Sequence, residues 1–325
     1  MLARLAGSWW ARAALTIAIL AWLATGIDMG AAARAVVAVS PAHLAAVLAL
    51  VAADRLVMIW RWLLLLRARG VAVAPGDAAR VFLVSSFVGS FLPAGIGGDA
   101  ARAWSLAQIT TRGGEALASV VVDRLLGVLS LTAMGVVGLV QWSPAGVSAA
   151  RIAAGVAVLT LACVAAFWSD ALLRSAVPAH RHGGPIARRL LRLADAMGAY
   201  RDHRGALAVV MGWSLVVQVL RITQAWLLGA GLGLAVPFAY YLLVMPLGLL
   251  MLLLPVSVSG FGVPQGVIVW LMRPMGVPDA LAFALSTLIV LTGLAGNLPG
   301  LWLWLRRAEP AGGPPPQVGG EPETQ

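Results

Sequence analysis

Long apolar runs recur along the whole chain, and they constrain its fold more than any motif does. A helix needs roughly 20 apolar residues to cross the hydrocarbon core of a bilayer. Segments 9–27, 42–66, 116–140, 150–168, 206–230 and 280–305 meet that requirement. Only 11% of the residues are charged, and mean hydropathy is +0.91. A soluble domain carries about 25% charged residues, so most of this surface must face lipid. The expected fold is an all-α polytopic membrane protein with about six full spans.

Two further apolar regions, 78–110 and 238–273, are interrupted by LPAGIGGD and LPVSVSGFGVPQG. Those insertions hold too much Gly and Pro for a continuous helix, so each region reads as a broken or re-entrant hairpin. Both carry Leu-Pro before a Gly-x-Gly core: Leu92-Pro93 with Gly95 and Gly97, and Leu254-Pro255 with Gly260 and Gly262. Three full spans separate the hairpins. An odd number makes them enter from opposite sides, as in an inverted repeat, and paired broken helices point to a transporter's binding site.

All 23 basic residues are Arg, which with abundant Ala and Gly reads as the coding bias of a GC-rich genome. The arginines are scattered between apolar segments without an aromatic-basic face, so the net charge of +10 argues for anionic lipid rather than nucleic acid. Arg4, Arg12, Arg67, Arg69, Arg80, Arg306 and Arg307 flank spans, and segment 170–205 carries seven Arg against three Asp. The short segments 141–149 and 231–237 carry no charge. This bias predicts cytoplasmic termini and a cytoplasmic 170–205 segment in a bacterial inner (plasma) membrane. The N-terminal apolar stretch lacks a good cleavage pattern and reads as a retained helix. Residues 1–307 form the expected membrane domain, and the Pro/Gly-rich tail 308–325 lacks the apolar residues needed to fold. Cys163 lies in an apolar run and reads as core packing; His180 and His182 have no third metal ligand nearby, so no metal or cofactor is expected.

Charges inside spans are the next clue, because each costs about 2.5–3.5 kcal/mol at the bilayer centre. Segment 42–66 holds Asp54, Arg55 and Arg61. Arg61 sits close enough to one end to snorkel to the headgroups. Asp54 and Arg55 lie deeper and point about 100° apart, so each needs a partner. Asp123-Arg124 repeats the same dipeptide, and a four-charge cluster between these helices would serve either packing or ligand binding. Gln218, Arg221 and Gln224 share one helix face, suited to interhelical hydrogen bonds or to an anion at Arg221.

The first interruption, FLPAGIGGDAAR at 91–102, combines several devices. Ser86 and Ser90 face the same way on the helix leading into Pro93. Gly95, Gly97 and Gly98 permit close backbone approach. Asp99 suits the N-cap of a new helix, with Arg102 one turn later. A helix start beside a guanidinium suits a phosphate, while the alternative is a capped turn at the membrane surface.

Four stretches then resemble a family, the lysylphosphatidylglycerol synthase transmembrane (flippase-like) membrane proteins. They are RWLLLLRARG at 61–70, FLPAGIGGDAARAWSL at 91–106, SVVVDRLLGVLSL at 119–131 and LPVSVSGFGVPQGVIVWLMRPMGVPDALAFALS at 254–286. The resemblance implies a helical bundle with re-entrant elements around a central cavity, moving polar-headed lipids between leaflets. It leaves the lipid open among phospholipids, hopanoids and polyprenyl-linked species. No aminoacyltransferase segment follows the last span, so aminoacyl transfer is not implied. Where the family usually carries Arg-Glu after the second Gly-x-Gly, this chain has Pro264-Gln265.

The sequence therefore predicts a lipid translocator whose headgroup site comprises Pro93, Gly95, Gly97, Gly98, Asp99, Arg102, Asp123, Arg124, Arg221, Ser257, Gly260, Gly262 and Gln265. Asp54, Arg55, Arg61, Ser86, Ser90 and Gln218 would support it. No nucleotide-binding loop G-x-x-x-x-G-K-[ST] and no catalytic constellation occurs. The rival readings are a membrane-embedded lipid-modifying transferase, with Asp99 or Asp123 as base, and an accessory scaffold for a lipid-synthesis enzyme.

Overall fold

The computed structural model describes residues 21, 25–92, 96–110, 112–142, 149–167, 185–251 and 262–306. Every regular element among them is helical. Asp28 caps α1 (Met29–Ala38), its Oδ1 accepting from the Ala31 amide at 2.8 Å. The sequence reading assigned no element there; the cap supplies the missing signal. Ser40 and Pro41 then start α2 (Pro41–Ala68), and Gly70, at φ +64°, turns the chain after it. The first hairpin comprises α3 (Pro75–Phe91) and α4 (Ile96–Ile109). Next come α5 (Gly113–Gln141), α6 (Ala149–Phe167), α7 (Pro185–Gly198) and α8 (Arg204–Gly231). The second hairpin comprises α9 (Phe238–Leu250) and α10 (Val263–Met272).

The expected span 280–305 is divided in two, α11 (Asp279–Ala295) and α12 (Leu298–Leu305). Gly296 ends α11, and Pro299 fits only the first turn of α12, where its missing N–H is harmless. Among the described residues, four stretches are long and apolar enough to cross a membrane: Pro41–Ala68, Gly113–Gln141, Leu191–Gly231 and Asp279–Leu305. α6, the expected span 150–168, is apolar over a shorter length. Most of 9–27 lies outside the described residues, as does the tail 308–325. Val140, Val158 and Leu161 are 67–82% exposed, an apolar exterior that fits a lipid-facing surface.

Contacts at the turns fix which ends meet. Arg69 after α2 forms a two-point pair with Glu115 on α5 (3.1 and 2.9 Å), and Arg112 donates to the Arg69 carbonyl at 3.3 Å. The α3–α4 hairpin lies between those points, so it leaves and re-enters at one end of the bundle. At the other end Trp142 stacks edge-on against Tyr240, at 5.4 Å between centroids. The Tyr240 hydroxyl donates to the Leu271 carbonyl, which brings the start of α9 beside the end of α10. The two hairpins thus enter from opposite ends, the inverted arrangement expected from the sequence.

Inside lipid there is little hydrophobic drive between helices, so close packing through small residues holds them together. α3 and α4 cross at Gly89 and Gly98, where a Cβ on Gly89 would lie 2.6 Å from the Gly98 Cα. Gly138 of α5 lets α9 approach equally closely: a Cβ there would lie 2.6 Å from the Leu242 carbonyl and the Leu243 nitrogen.

Buried ion pairs join a further set of elements, α2, α4 and α5. Arg61 does not snorkel; it is buried, with Nε 2.8 Å from Asp123 Oδ1 and Nη1 donating to Ser214 Oγ at 2.9 Å. Asp123 also accepts from Arg102 (3.2 Å), which reaches Asp99 at 3.5 Å; Asp99 in turn meets Arg124 at 3.5 Å. The result is an alternating chain, Arg61–Asp123–Arg102–Asp99–Arg124, across α2, α5 and α4. Arg102 also lies over the rings of Phe82 (4.4 Å) and Trp62 (5.5 Å). Asp99 does not act as an N-cap, because α4 begins at Ile96 and its carboxylate turns to the arginines.

Two outcomes follow from this packing. Asp123→Ala strands Arg61 and Arg102 and should cost about 3–5 kcal/mol, read as a lowered unfolding midpoint in detergent. Gly138→Ala should cost about 1–3 kcal/mol by overpacking, whereas Gly155→Ala, with nothing near the added carbon inside its helix, should leave the same midpoint unchanged or raise it.

Candidate functional site

A second charge cluster forms where α2, α8 and the α11–α12 break converge. Asp54 Oδ2 accepts from Arg55 at 2.7 Å, and Oδ1 accepts from Arg221 Nε at 3.1 Å. The long Arg55 side chain folds back on its neighbour despite the angular separation. It also donates to Asn297 Oδ1 (3.1 Å) and to the Gly293 carbonyl (3.3 Å). Asn297 donates in turn to Ser90 Oγ at 2.8 Å, and the Ser90 hydroxyl donates to the Ser86 carbonyl at 3.0 Å. One amide therefore ties α2, the first hairpin and the last span together.

These residues border a cavity of about 330 Å³. Its polar wall includes Asp54, Arg55, Ser90, Arg124, Arg221, Gln224 and Asn297. Its apolar wall includes Leu228, Met245, Leu249, Ile289 and Val290. Among the described lining residues, three arginines against one aspartate leave a charge of +2. Arg124 is the least confined of the three: its side chain is 43% exposed, and the Asp99 contact is long. Gln224 Nε2 is buried without a hydrogen-bond partner. A smaller pocket of about 40 Å³ adjoins, sharing Met245, Leu249, Ile289 and Val290 and bounded beyond them by Gly248, Gln265, Ile268 and Ser286.

Of the residues anticipated from sequence, Asp54, Arg55, Ser90, Arg124 and Arg221 reach the main cavity. No described ion pair joins Asp54-Arg55 to Asp123-Arg124, so the expected four-charge cluster is replaced by two clusters that meet only through the shared cavity. Arg61, Arg102 and Asp123 lie in the interior, and Asp99 steadies Arg124. Gly97 packs on Leu92 and Gly98 on Gly89, while Ser86 contributes its carbonyl to Ser90. Gln218 donates to Ser130 Oγ and the Gly127 carbonyl, the interhelical alternative for that residue.

Gly262, at φ +98°, starts α10; its amide donates to Gln265 Oε1 (3.1 Å), and Gln265 Nε2 donates to Thr287 (3.2 Å). Gln265 borders the small pocket with its amide already engaged. Pro93, Gly95, Ser257 and Gly260 lie outside the described residues. Asn297 escaped the sequence reading. Its signal was a polar amide between Gly296 and Pro299, a break signature inside an apolar span.

The family model described as the lysylphosphatidylglycerol synthase TM region matches residues 9–300. No curated protein matches the chain. The paired hairpins, the buried charges and this match over most of the length agree: the chain is a multi-pass membrane protein of the lysylphosphatidylglycerol synthase transmembrane family, a family tied to lipid synthesis or translocation.

Proposed function

We propose that this protein moves an anionic, polar-headed lipid between leaflets, receiving the headgroup in the cavity between its two hairpins. The carrying observation is the cavity's two-sided lining: three arginines and one aspartate on one wall, aliphatic side chains on the other. A phosphate takes charge-assisted hydrogen bonds from guanidinium groups, and the surplus positive charge favours an anion over a zwitterion or a neutral sugar. Arg124 and Arg221 make the first contacts, Arg55 is oriented by Asn297, and Gln224 Nε2 supplies a neutral donor.

The Arg69 end, which carries the basic flanks, faces the cytoplasm. The first hairpin then opens towards the cytoplasm and the second towards the opposite side. A headgroup bound between them is reached by small movements of either hairpin, as in alternating access around a fixed site. Residues 1–307 suffice for this activity.

In liposomes holding only the purified protein and a fluorescent phosphatidylglycerol, outer-leaflet quenching should reveal translocation. Arg124→Ala should slow it about 10-fold or more, the loss expected for one charged hydrogen bond, without lowering the unfolding midpoint. An unchanged rate in that variant refutes the site. Absence of any translocation by the pure protein favours the scaffold reading, and turnover of a labelled donor lipid favours the transferase.

A further inference from the structure

The small pocket differs in kind from the main cavity, and the difference lies in its polar groups. Among the described residues two polar side chains border it, and both make hydrogen bonds within the protein. Gln265 accepts from the Gly262 amide and donates to Thr287. Ser286 donates to the Phe283 carbonyl at 2.8 Å. A buried water needs two to four polar partners, and among the described residues only one Gln265 Nε2 hydrogen and the Ser286 oxygen lone pairs remain for it on an otherwise apolar wall. The rest of the wall is aliphatic, from Met245, Leu249, Ile268 and Val290. The pocket is suited to hydrocarbon and poorly suited to water or to a headgroup.

We infer that the pocket receives the end of one hydrocarbon chain of the same lipid whose anionic headgroup occupies the main cavity, so that this chain is held by protein rather than left in the bilayer. The inference rests on the proposed translocator reading. Continuity supports it: Met245, Leu249, Ile289 and Val290 line both spaces, so a chain lying along them from the arginine wall arrives at the pocket. Met245 is an unbranched, adaptable side chain suited to that threshold. The second hairpin then contributes a site for hydrocarbon, with Pro264 and Gln265 forming an uncharged wall. Chain length becomes a determinant of specificity alongside headgroup charge.

Binding to the full-length protein in amphipol tests this, using chainless glycerophosphoglycerol and phosphatidylglycerols of six, eight and ten carbons per chain. In the wild type, each methylene that enters the pocket should raise affinity up to about four-fold. Ser286→Leu fills the pocket from α11, and Gly248→Val fills it from α9 should the first variant fold poorly. Either should flatten the chain-length dependence while leaving glycerophosphoglycerol affinity unchanged. A full chain-length dependence in a folded, filled variant overturns the inference and leaves the headgroup site standing. Failure of glycerophosphoglycerol to bind the wild type overturns the translocator reading, and this inference with it.

Discussion

Charge inside a low-dielectric slab must be paired, and that requirement organises this molecule. Asp123 and Asp54 are both almost fully buried, and each holds two arginines. Such pairs add little net stability, since desolvation offsets most of the Coulomb attraction. Their value is positional. Arg61 and Asp123 fix α2 against α5, Arg102 fixes α4 on both, and Arg221 fixes α8 on α2. A wrong register in any of these helices would bury an unpaired charge, so the network selects one arrangement from the many that apolar helices could adopt.

Close packing at glycines and the ion pairs meet at the first hairpin. α4 lies against α3 at Gly89 and Gly98, and from α4 Arg102 reaches Asp123 at 3.2 Å. Its guanidinium then fills the space over Phe82 and Trp62, and Trp62 donates to Ser119 on α5 at 3.2 Å. The second hairpin has no such charge. It is held by Gly138 against Leu242, by Tyr240 on the Leu271 carbonyl, and by an aliphatic core shared with α8 and α11. The two hairpins are inverted in direction yet unlike in chemistry, one wired by ions and the other by apolar contact.

Much of this was legible in the sequence because lipid enforces simple rules. Span length and the two Gly/Pro interruptions follow from the need to satisfy backbone groups in hydrocarbon. The periodicity of Gln218, Arg221 and Gln224 put them on one helix face, and Arg221 and Gln224 both border the cavity. Pairing was not legible. Nothing in the spacing of Asp54 and Asp123 says that each takes arginines from distant segments, and Arg61 looked free to reach the headgroups until Asp123 and Ser214 were found beside it. Arg102 was expected at the headgroup and Arg55 in support; Arg102 is buried on Asp123, whereas Arg55, held by Asn297, borders the cavity. Pair partners depend on tertiary proximity, which a one-dimensional pattern does not encode.

The arrangement of those charges bears on function through where the imbalance falls. In the chain Arg61–Asp123–Arg102–Asp99–Arg124, the interior members lie between opposite charges. The surplus positive charge is carried by the terminal Arg124, the only one of the five that lines the cavity. In the second cluster Asp54 sits between Arg55 and Arg221, and all three line the same cavity. Both networks therefore discharge their excess into one space. An anionic headgroup arriving there would extend each alternation by one member, gaining from two networks at once without disturbing a buried pair. A neutral or cationic headgroup would gain nothing from either, so on the proposed reading headgroup charge is the first determinant of binding.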